Sequence, residues 1–326
     1  MRKRCHIFLA VLVFVTLTGI SALADSPYFV VKGDLHCHSD FSHDSDVPID
    51  HVVRESKLAG YDFIAITDHN TTRHMEVDHS IEGLLVIPGY EYTTSLVHIN
   101  IFGLREIPRK TAVYSKQDVD EYLNMLRRRG ALFQLNHPND PEYYSRFGYD
   151  LDVHFLEIYN GVWREDDYKT LRDWHELLVQ GRRLVATGGT DAHRNHTKRG
   201  VYNNVFVTEL SEEAILEALL AGRSFVTTSP DGPEIFMSVG DVLMGGTAIY
   251  EEGQQVHIEI RNIKPETIIR VYSNRGLEWE NTLPADEVRT YSLEMNTAGK
   301  KFIRVELWSD AETIIAYTNP IYIEHQ

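Results

Sequence analysis

The sequence predicts an α/β chain: a barrel of parallel strands with crossover helices, followed by a small all-β, sandwich-like unit. Three observations predict it. The runs VVKGDLHCH, FIAITDH, LLVIPGYEYT, ALFQLNHP and LVATGGTDAH begin with β-branched or aromatic residues, as buried strands do. Helical stretches separate several of these runs, and parallel strands require such crossovers. From Gly232 onward the texture changes to short alternating segments, IEIRNI, TIIRVYS, TYSLEM, KFIRVELWS and NPIYIE. Turn residues at Lys264-Pro265, Asn274-Arg275-Gly276 and Gly299 separate them, which is the pattern of an antiparallel sandwich. A length of 326 residues accommodates both units, since a barrel takes roughly 200 to 250. The expected division is a signal peptide at 1–24, the barrel at 25–230 and the sandwich at 231–326.

Taken in order, the elements have local causes. Met1-Arg2-Lys3-Arg4 is a positive n-region, Ile7 to Ile20 an apolar core, and Ala22-Leu23-Ala24 an A-x-A cleavage site. The apolar core is short for a span of about 20 residues. Export to the periplasm or outside is expected, without stable membrane insertion; an uncleaved anchor is the alternative. Asp50 is placed to cap a short helix ending at Gly60. Ser115 caps another, with Val119, Tyr122, Leu123 and Leu126 as its apolar stripe. From Asp166 to Gln180, Leu171, Trp174 and Leu178 share a face, and Gly181 stops the helix. Ser211 to Leu220 is the last helix, closed by Gly222. Only six residues separate Glu91 from His98, too few for a helical crossover, so HINIFGL is expected to return as a hairpin.

The strand runs end on His36 and His38, Asp68 and His69, Glu91, His137, and Asp191 and His193. In a parallel barrel those ends converge on one face, and imidazoles with carboxylates are the ligand set of zinc, manganese or iron. Thirteen of the 16 histidines fall between His36 and His196, so the tail is expected to do a different job. Asp34 and Asp68, next to these positions, are expected to hydrogen-bond imidazole N–H groups. Glu157 is either a buried structural carboxylate or part of the site wall, with Asn160 a weaker candidate for the wall. His154, His175 and His257 read as hydrogen-bonded core residues, and His51, His74, His79 and His196 as solvated. Cys37, flanked by His36 and His38, should face the opposite side of a strand and pack in the core. It is the only cysteine left after cleavage, so no intramolecular disulfide can form.

The formal charge of −16 becomes −19 once Arg2, Lys3 and Arg4 are removed. Such a surface repels polyanions, so nucleic acid is not an expected partner and a small-molecule substrate is.

HCHSDFSHDS, AITDHNT, IPGYEYT, HINIFGL, NHP, EIYNG and GGTDAHR, in this order, resemble the motifs of the PHP (polymerase and histidinol phosphatase) superfamily over about residues 28 to 230. The leader and tail make the chain most similar to the exported branch that includes carbaryl-hydrolase-like metallohydrolases. The resemblance implies a distorted (β/α)7 TIM-like barrel holding two or three divalent metal ions (Zn, Mn or Fe). It implies one ion on His36, His38, Glu91 and Asp191, and a second sharing Glu91 and adding His98 and His137. A third would take His69, His193 and the group after the first motif, where His43 and Asp44 compete and Asp44 is favoured.

The activity implied is hydrolysis of a small phosphoester. A carboxyl or carbamate ester, or a metal-stabilised binding protein without catalysis, is the alternative. A multinuclear site supplies its nucleophile from water, so no serine or cysteine nucleophile is required. Asp191, His193 and His69 are the candidate catalytic residues for proton transfer. Arg194, Arg73 and Arg164, on the motif loops, are the candidate substrate-binding residues, because a guanidinium suits phosphate.

Overall fold

The computed structural model describes residues 27–77, 79–109, 112–194, 200–284 and 290–325. The expected signal peptide and His196 therefore lie outside the described residues. The fold class agrees with expectation: a mixed α/β unit of parallel strands and helices, then an antiparallel β unit.

The first unit contains β1 (Phe29–Cys37), α1 (Ile49–Leu58), β2 (Phe63–Ile66), β3 (Leu85–Thr93), β4 (His98–Phe102), α2 (Lys116–Arg127) and β5 (Leu132–Leu135). It continues through β6 (Phe155–Asn160), α3 (Glu165–Val179), β7 (Val185–Gly189), β8 (Tyr202–Val207), α4 (Glu212–Leu220) and β9 (Ser224–Thr227). β1, β2 and β3 pair in parallel, as do β5, β6 and β7. β4 is antiparallel to both β3 and β5, so the short Glu91–His98 connection is the expected hairpin. Beyond the end of β7, a parallel bridge between Cys37 and Ala192 joins the chain to β1.

Helix ends follow local chemistry. Ser115 and Asp118 form a reciprocal capping box at α2, and Ser115 accepts from the Asp118 N–H. Gly181 and Gly222 sit at positive φ just past α3 and α4, where a Cβ would be strained. At α1 the expected cap is wrong. The N-cap is Pro48, and the Ile49 N–H reaches Asp40 Oδ1 at 3.3 Å. The helix therefore starts two residues earlier than expected, leaving Asp50 inside the first turn, where its charge suits the dipole.

The second unit contains β10 (Glu234–Val239), β11 (Val242–Leu243), β12 (Thr247–Ile249), β13 (Gln255–Arg261), β14 (Ile268–Ser273) and β15 (Gly276–Thr282). β16 (Thr290–Asn296), β17 (Phe302–Trp308), β18 (Ile314–Thr318) and β19 (Ile321–Glu324) complete it. One sheet has the order β11-β10-β13-β16. Its Ile235, Met237, Val256, Ile258 and Ile260 pack against Ile269, Val271, Ile303 and Val305 of the facing strands. The facing sheet is continuous with the first unit, because β18 pairs with β9. One short strand, β12, runs parallel to β19.

β13 and β14 alternate in burial as a one-sided sheet should. β17 does not: all seven of its residues are buried. Its odd-numbered side chains Ile303, Val305 and Leu307 enter the sandwich core, while Phe302 and Trp308 join the core around α3. Its second face is not solvated, because α3 packs on it.

Candidate metal centre

Each residue of the site has a backbone reason for being there. His36 is the last residue but one of β1 and His38 follows the strand, Asp68 and His69 follow β2, and Glu91 lies near the end of β3. His137 and Asp191 come two residues after β5 and β7. β4 runs the other way, so its first residue, His98, lands on the face that receives the ends of its neighbours. Two of these residues have left-handed backbone, His137 at φ 26° and Asp191 at φ 46°. Such conformations cost about 1 kcal/mol or more for non-glycine residues and collect at functional sites. At Gly189 a Cβ would stand 2.4 Å from both His36 Cβ and Glu157 Oε1, so glycine lets these side chains close on β7.

The side chains converge on Glu91, which is fully buried. Its Oε2 lies 2.7 Å from His69 Nδ1 and 3.5 Å from Nε2 of both His36 and His38. Its Oε1 lies 3.1 Å from His98 Nδ1 and 3.7 Å from His137 Nε2. Asp191 Oδ1 is 3.1 Å from His38 Nε2 and 3.3 Å from His36 Nε2. Asp44 Oδ2 stands 3.2 Å from Nε2 of both His69 and His193. His43 points outward, with a largely exposed side chain. Three groups therefore have donor atoms mutually within 4.8 Å: His36, His38 and Glu91; Glu91, His98 and His137; and His38, His69 and His193.

This donor set fits divalent metal. His36 Nε2, Glu91 Oε2 and His98 Nδ1, each at ion-pair distance from a neighbour in the site, are buried without a well-oriented hydrogen bond. A buried polar atom without a partner costs about 1 to 3 kcal/mol, and several on one point favour a cation. Protonation agrees. Burial alone would raise the Glu91 carboxyl, but the imidazoles of His69, His36 and His98 hold it well below the usual range. Burial would likewise raise Asp191, which His36 and His38 hold low. Burial pushes the His38 imidazole down to about 4. Charged carboxylates and a neutral imidazole are the forms that bind metal.

The supporting residues differ from expectation. Glu157, not Asp34 or Asp68, holds a site imidazole: its Oε1 lies 2.9 Å from His36 Nδ1, and its Oε2 accepts from the His137 N–H at 2.9 Å. Asn160 Nδ2 donates to Glu157 Oε2 at 3.1 Å and to Asp191 Oδ2 at 3.3 Å. Asp34 instead accepts from the backbone of His36 and Thr190, and from the Thr190 hydroxyl. Burial raises its carboxyl to about 6. Asp68 accepts from Ser39 N–H and Oγ at 2.6 and 2.7 Å. The imidazole it faces is His74, at 3.0 Å. His74 is therefore buried rather than solvated, on a 3₁₀ turn (Arg73–Glu76) that folds over β2.

Other expected placements divide. His154 accepts from the Phe133 N–H and His175 from Arg304, as expected of hydrogen-bonded histidines, although both are half-buried; His257, also half-buried, is on the outer side of β13. Cys37 packs with Ile49, Val52 and Ile64 on the side away from the site, and burial pushes its thiol well up. Arg194 is exposed, 3.6 Å from Asp46, and Arg73 stands over the Phe41 ring. Arg164 is engaged by Asp140 and Asp166 at 3.5 and 3.3 Å. Sequence reasoning missed Asn136, whose Nδ2 donates to Glu91 Oε1 at 3.0 Å, although it immediately precedes His137. It also missed Tyr143, an exposed ring 5.5 Å from that of His98.

The chain has likenesses among known proteins. Residues 34–171 match the PHP domain family. A two-domain protein containing a predicted PHP-like metal-dependent phosphoesterase, from Bacteroides vulgatus, superposes with a TM-score of 0.52 at 19% identity. That match covers 91% of this chain and 96% of that one. PsfC from Pseudomonas syringae aligns over 54% of this chain and 82% of its own, with a TM-score of 0.43 and 18% identity. An uncharacterized protein of Methanocaldococcus jannaschii is 27% identical over 154 residues, 41% of this chain and 85% of that protein.

Proposed function

We propose, for a chain whose residues 34–171 match the PHP domain family, that it is a multinuclear metal-dependent hydrolase of small phosphoesters. The observation that carries this reading is that Glu91 belongs to two donor groups at once and His38 to two. A carboxylate with one oxygen toward each group is what a bridged centre needs. His36, His38, Glu91 and Asp191 would hold one ion, and His98 and His137 would complete a second with Glu91. His69, His193 and Asp44 would hold a third. Zinc, manganese or iron suits these nitrogen and oxygen donors. Bound ions would polarise the ester's oxygen and activate water at neutral pH.

The chain's own residues do the rest. Glu157 takes the Nδ1 side of His36 and leaves Nε2 for the centre, which fixes the tautomer. His193 has one ring nitrogen held by the Asp191 carbonyl at 3.0 Å and is partly exposed. Its Nε2 is the candidate to hand a proton to the leaving group when the third ion is absent, since a nitrogen bound to that ion has no proton to give. Asp191, also partly exposed, is the candidate to receive one. Arg73 and Arg194, both exposed and following site histidines in sequence, are the proposed readers of phosphate, and Tyr143, beside His98, is a proposed part of the wall. Arg164, engaged by two aspartates, is the weaker of the three proposed arginines.

The acidic surface and the positive, apolar amino terminus support an exported enzyme with a small-molecule substrate. Purified protein assayed on p-nitrophenyl phosphate and on a naphthyl carbamate, with and without chelator, tests the reaction. Chelator-sensitive phosphate release is expected. Turnover of the carbamate alone would move the assignment to carbamate hydrolysis, and metal uptake without either turnover would point to a binding protein. Detection in the exported fraction of expressing cells tests localisation.

A further inference from the structure

The C-terminal sheet reaches the centre through a run of buried hydrogen bonds. The Tyr317 hydroxyl on β18 donates to the Thr187 carbonyl on β7 at 2.8 Å. Thr187 Oγ1 donates to Gln134 Oε1 at 2.9 Å, and Gln134 Nε2 donates to Asn136 Oδ1 at 3.1 Å. Asn136 Nδ2 donates to Glu91 Oε1 at 3.0 Å. Every side chain in this run is at most 1% exposed. The order matters chemically. Each amide accepts on its oxygen from the residue before it, so its N–H₂ is left to face the residue after it. Thr187 thereby sets Gln134, which sets Asn136, which gives a donor and not an acceptor to Glu91.

A second contact acts on the strand that delivers Asp191. Along the outer edge of β7, asparagine amides stand where a neighbouring strand would. Asn319 Oδ1 accepts from the Ala186 N–H at 2.7 Å, and its Nδ2 donates to the Ala186 carbonyl at 3.0 Å. Asn203 does the same at Gly188, at 3.0 and 2.7 Å, and also holds the Gly33 carbonyl of β1 at 3.1 Å. Asn203 belongs to β8, but Asn319 follows β18 and comes from the tail. Fully buried and multiply bonded, Asn319 also donates to Ser224 O and Oγ at 3.0 Å each.

We propose that Tyr317 and Asn319 are positioning residues of the metal centre, through which the C-terminal sheet sets β7, and with it Asp191 and the donor on Glu91. This rests on the metal-centre reading above. The residues touch neither ligand nor substrate, so their effect must appear in how well the ligands are held.

The experiment titrates the full chain, stripped of metal, with Mn²⁺. The proteins are wild type, Tyr317→Phe, Asn319→Leu and a control, Val256→Ala, in the core of the other sheet of the sandwich. Melting temperature and p-nitrophenyl phosphate kinetics are read in parallel. Tyr317→Phe and Asn319→Leu should bind Mn²⁺ more weakly, by on the order of 10-fold, the lower end for residues that orient ligands. Their kcat should fall more than KM changes. Val256→Ala should melt earlier yet bind Mn²⁺ as wild type does. If Asn319→Leu does not fold, Tyr317→Phe decides, since it removes one oxygen. Wild-type Mn²⁺ affinity in the folded variants overturns the proposal alone, as does weakening in all three proportional to lost stability. A wild type that takes up no divalent ion overturns the metal reading and this proposal together.

Discussion

Two of the buried polar regions among the described residues are built on opposite plans. In the seam between the tail and α3, every strong polar group has a partner. Arg304 Nη1 meets Glu306 Oε1 at 2.6 Å, and the Arg304 guanidinium also reaches His175 Nδ1. Trp308 Nε1 donates to Glu306 Oε2 at 2.9 Å, and Arg304 lies between the rings of Trp174 and Tyr272. On the histidine face, by contrast, nitrogen and carboxylate atoms crowd one another at 2.7 to 3.7 Å, and several have no well-oriented hydrogen bond. A satisfied buried pair can be retained for packing alone. Buried donors and acceptors left open, on residues some of which have left-handed backbone, are better explained by a ligand they await. Burial and charge do not separate the two regions. Satisfaction does.

The sharpest way to break this contrast is Glu91→Gln. It keeps size and removes the charge that two donor groups share, so phosphoesterase activity should fall by several orders of magnitude and metal content should drop. Near-normal turnover and metal content would mean that the open atoms are not ligands. Glu306→Gln tests the other side. It leaves the 2% exposed Arg304 without its counter-ion, so unfolding free energy should fall by about 3 to 5 kcal/mol. Activity per metal-loaded molecule should stay unchanged, as denaturant melts and active-site titration would show.

Smaller effects sharpen the boundary. Glu157→Gln should cost about 10- to 100-fold in metal affinity, as partners of ligating histidines do, read by competition with a chromogenic chelator. His43→Ala should move stability by no more than about 0.5 kcal/mol, as an exposed side chain does, and leave turnover intact. Asp44→Asn, one residue along, should lose metal or activity. Equal effects at both positions would remove the geometric preference for Asp44.

The sequence by itself determined where strands end and which chemistry stands there. Strand length and helix caps are set by neighbours in the chain, so β1 ending at Cys37 and the Ser115 capping box were legible, and with them the ligand-type residues. The reversed strand was legible too, because a connection of six residues between Glu91 and His98 leaves no room for a helix. Partners across the fold were not. Asp34 and Asp68 adjoin site histidines in sequence yet serve Thr190, Ser39 and His74, while Glu157 reaches His36 from 121 residues away. His74 looked like a surface histidine and is buried because a 3₁₀ turn carries it over Asp68. β17 reads as an alternating strand, and only the docking of α3 on its second face explains why Arg304 and Glu306 are buried. Local sequence sets the direction of a side chain. What that side chain meets depends on long-range packing, which no short pattern encodes.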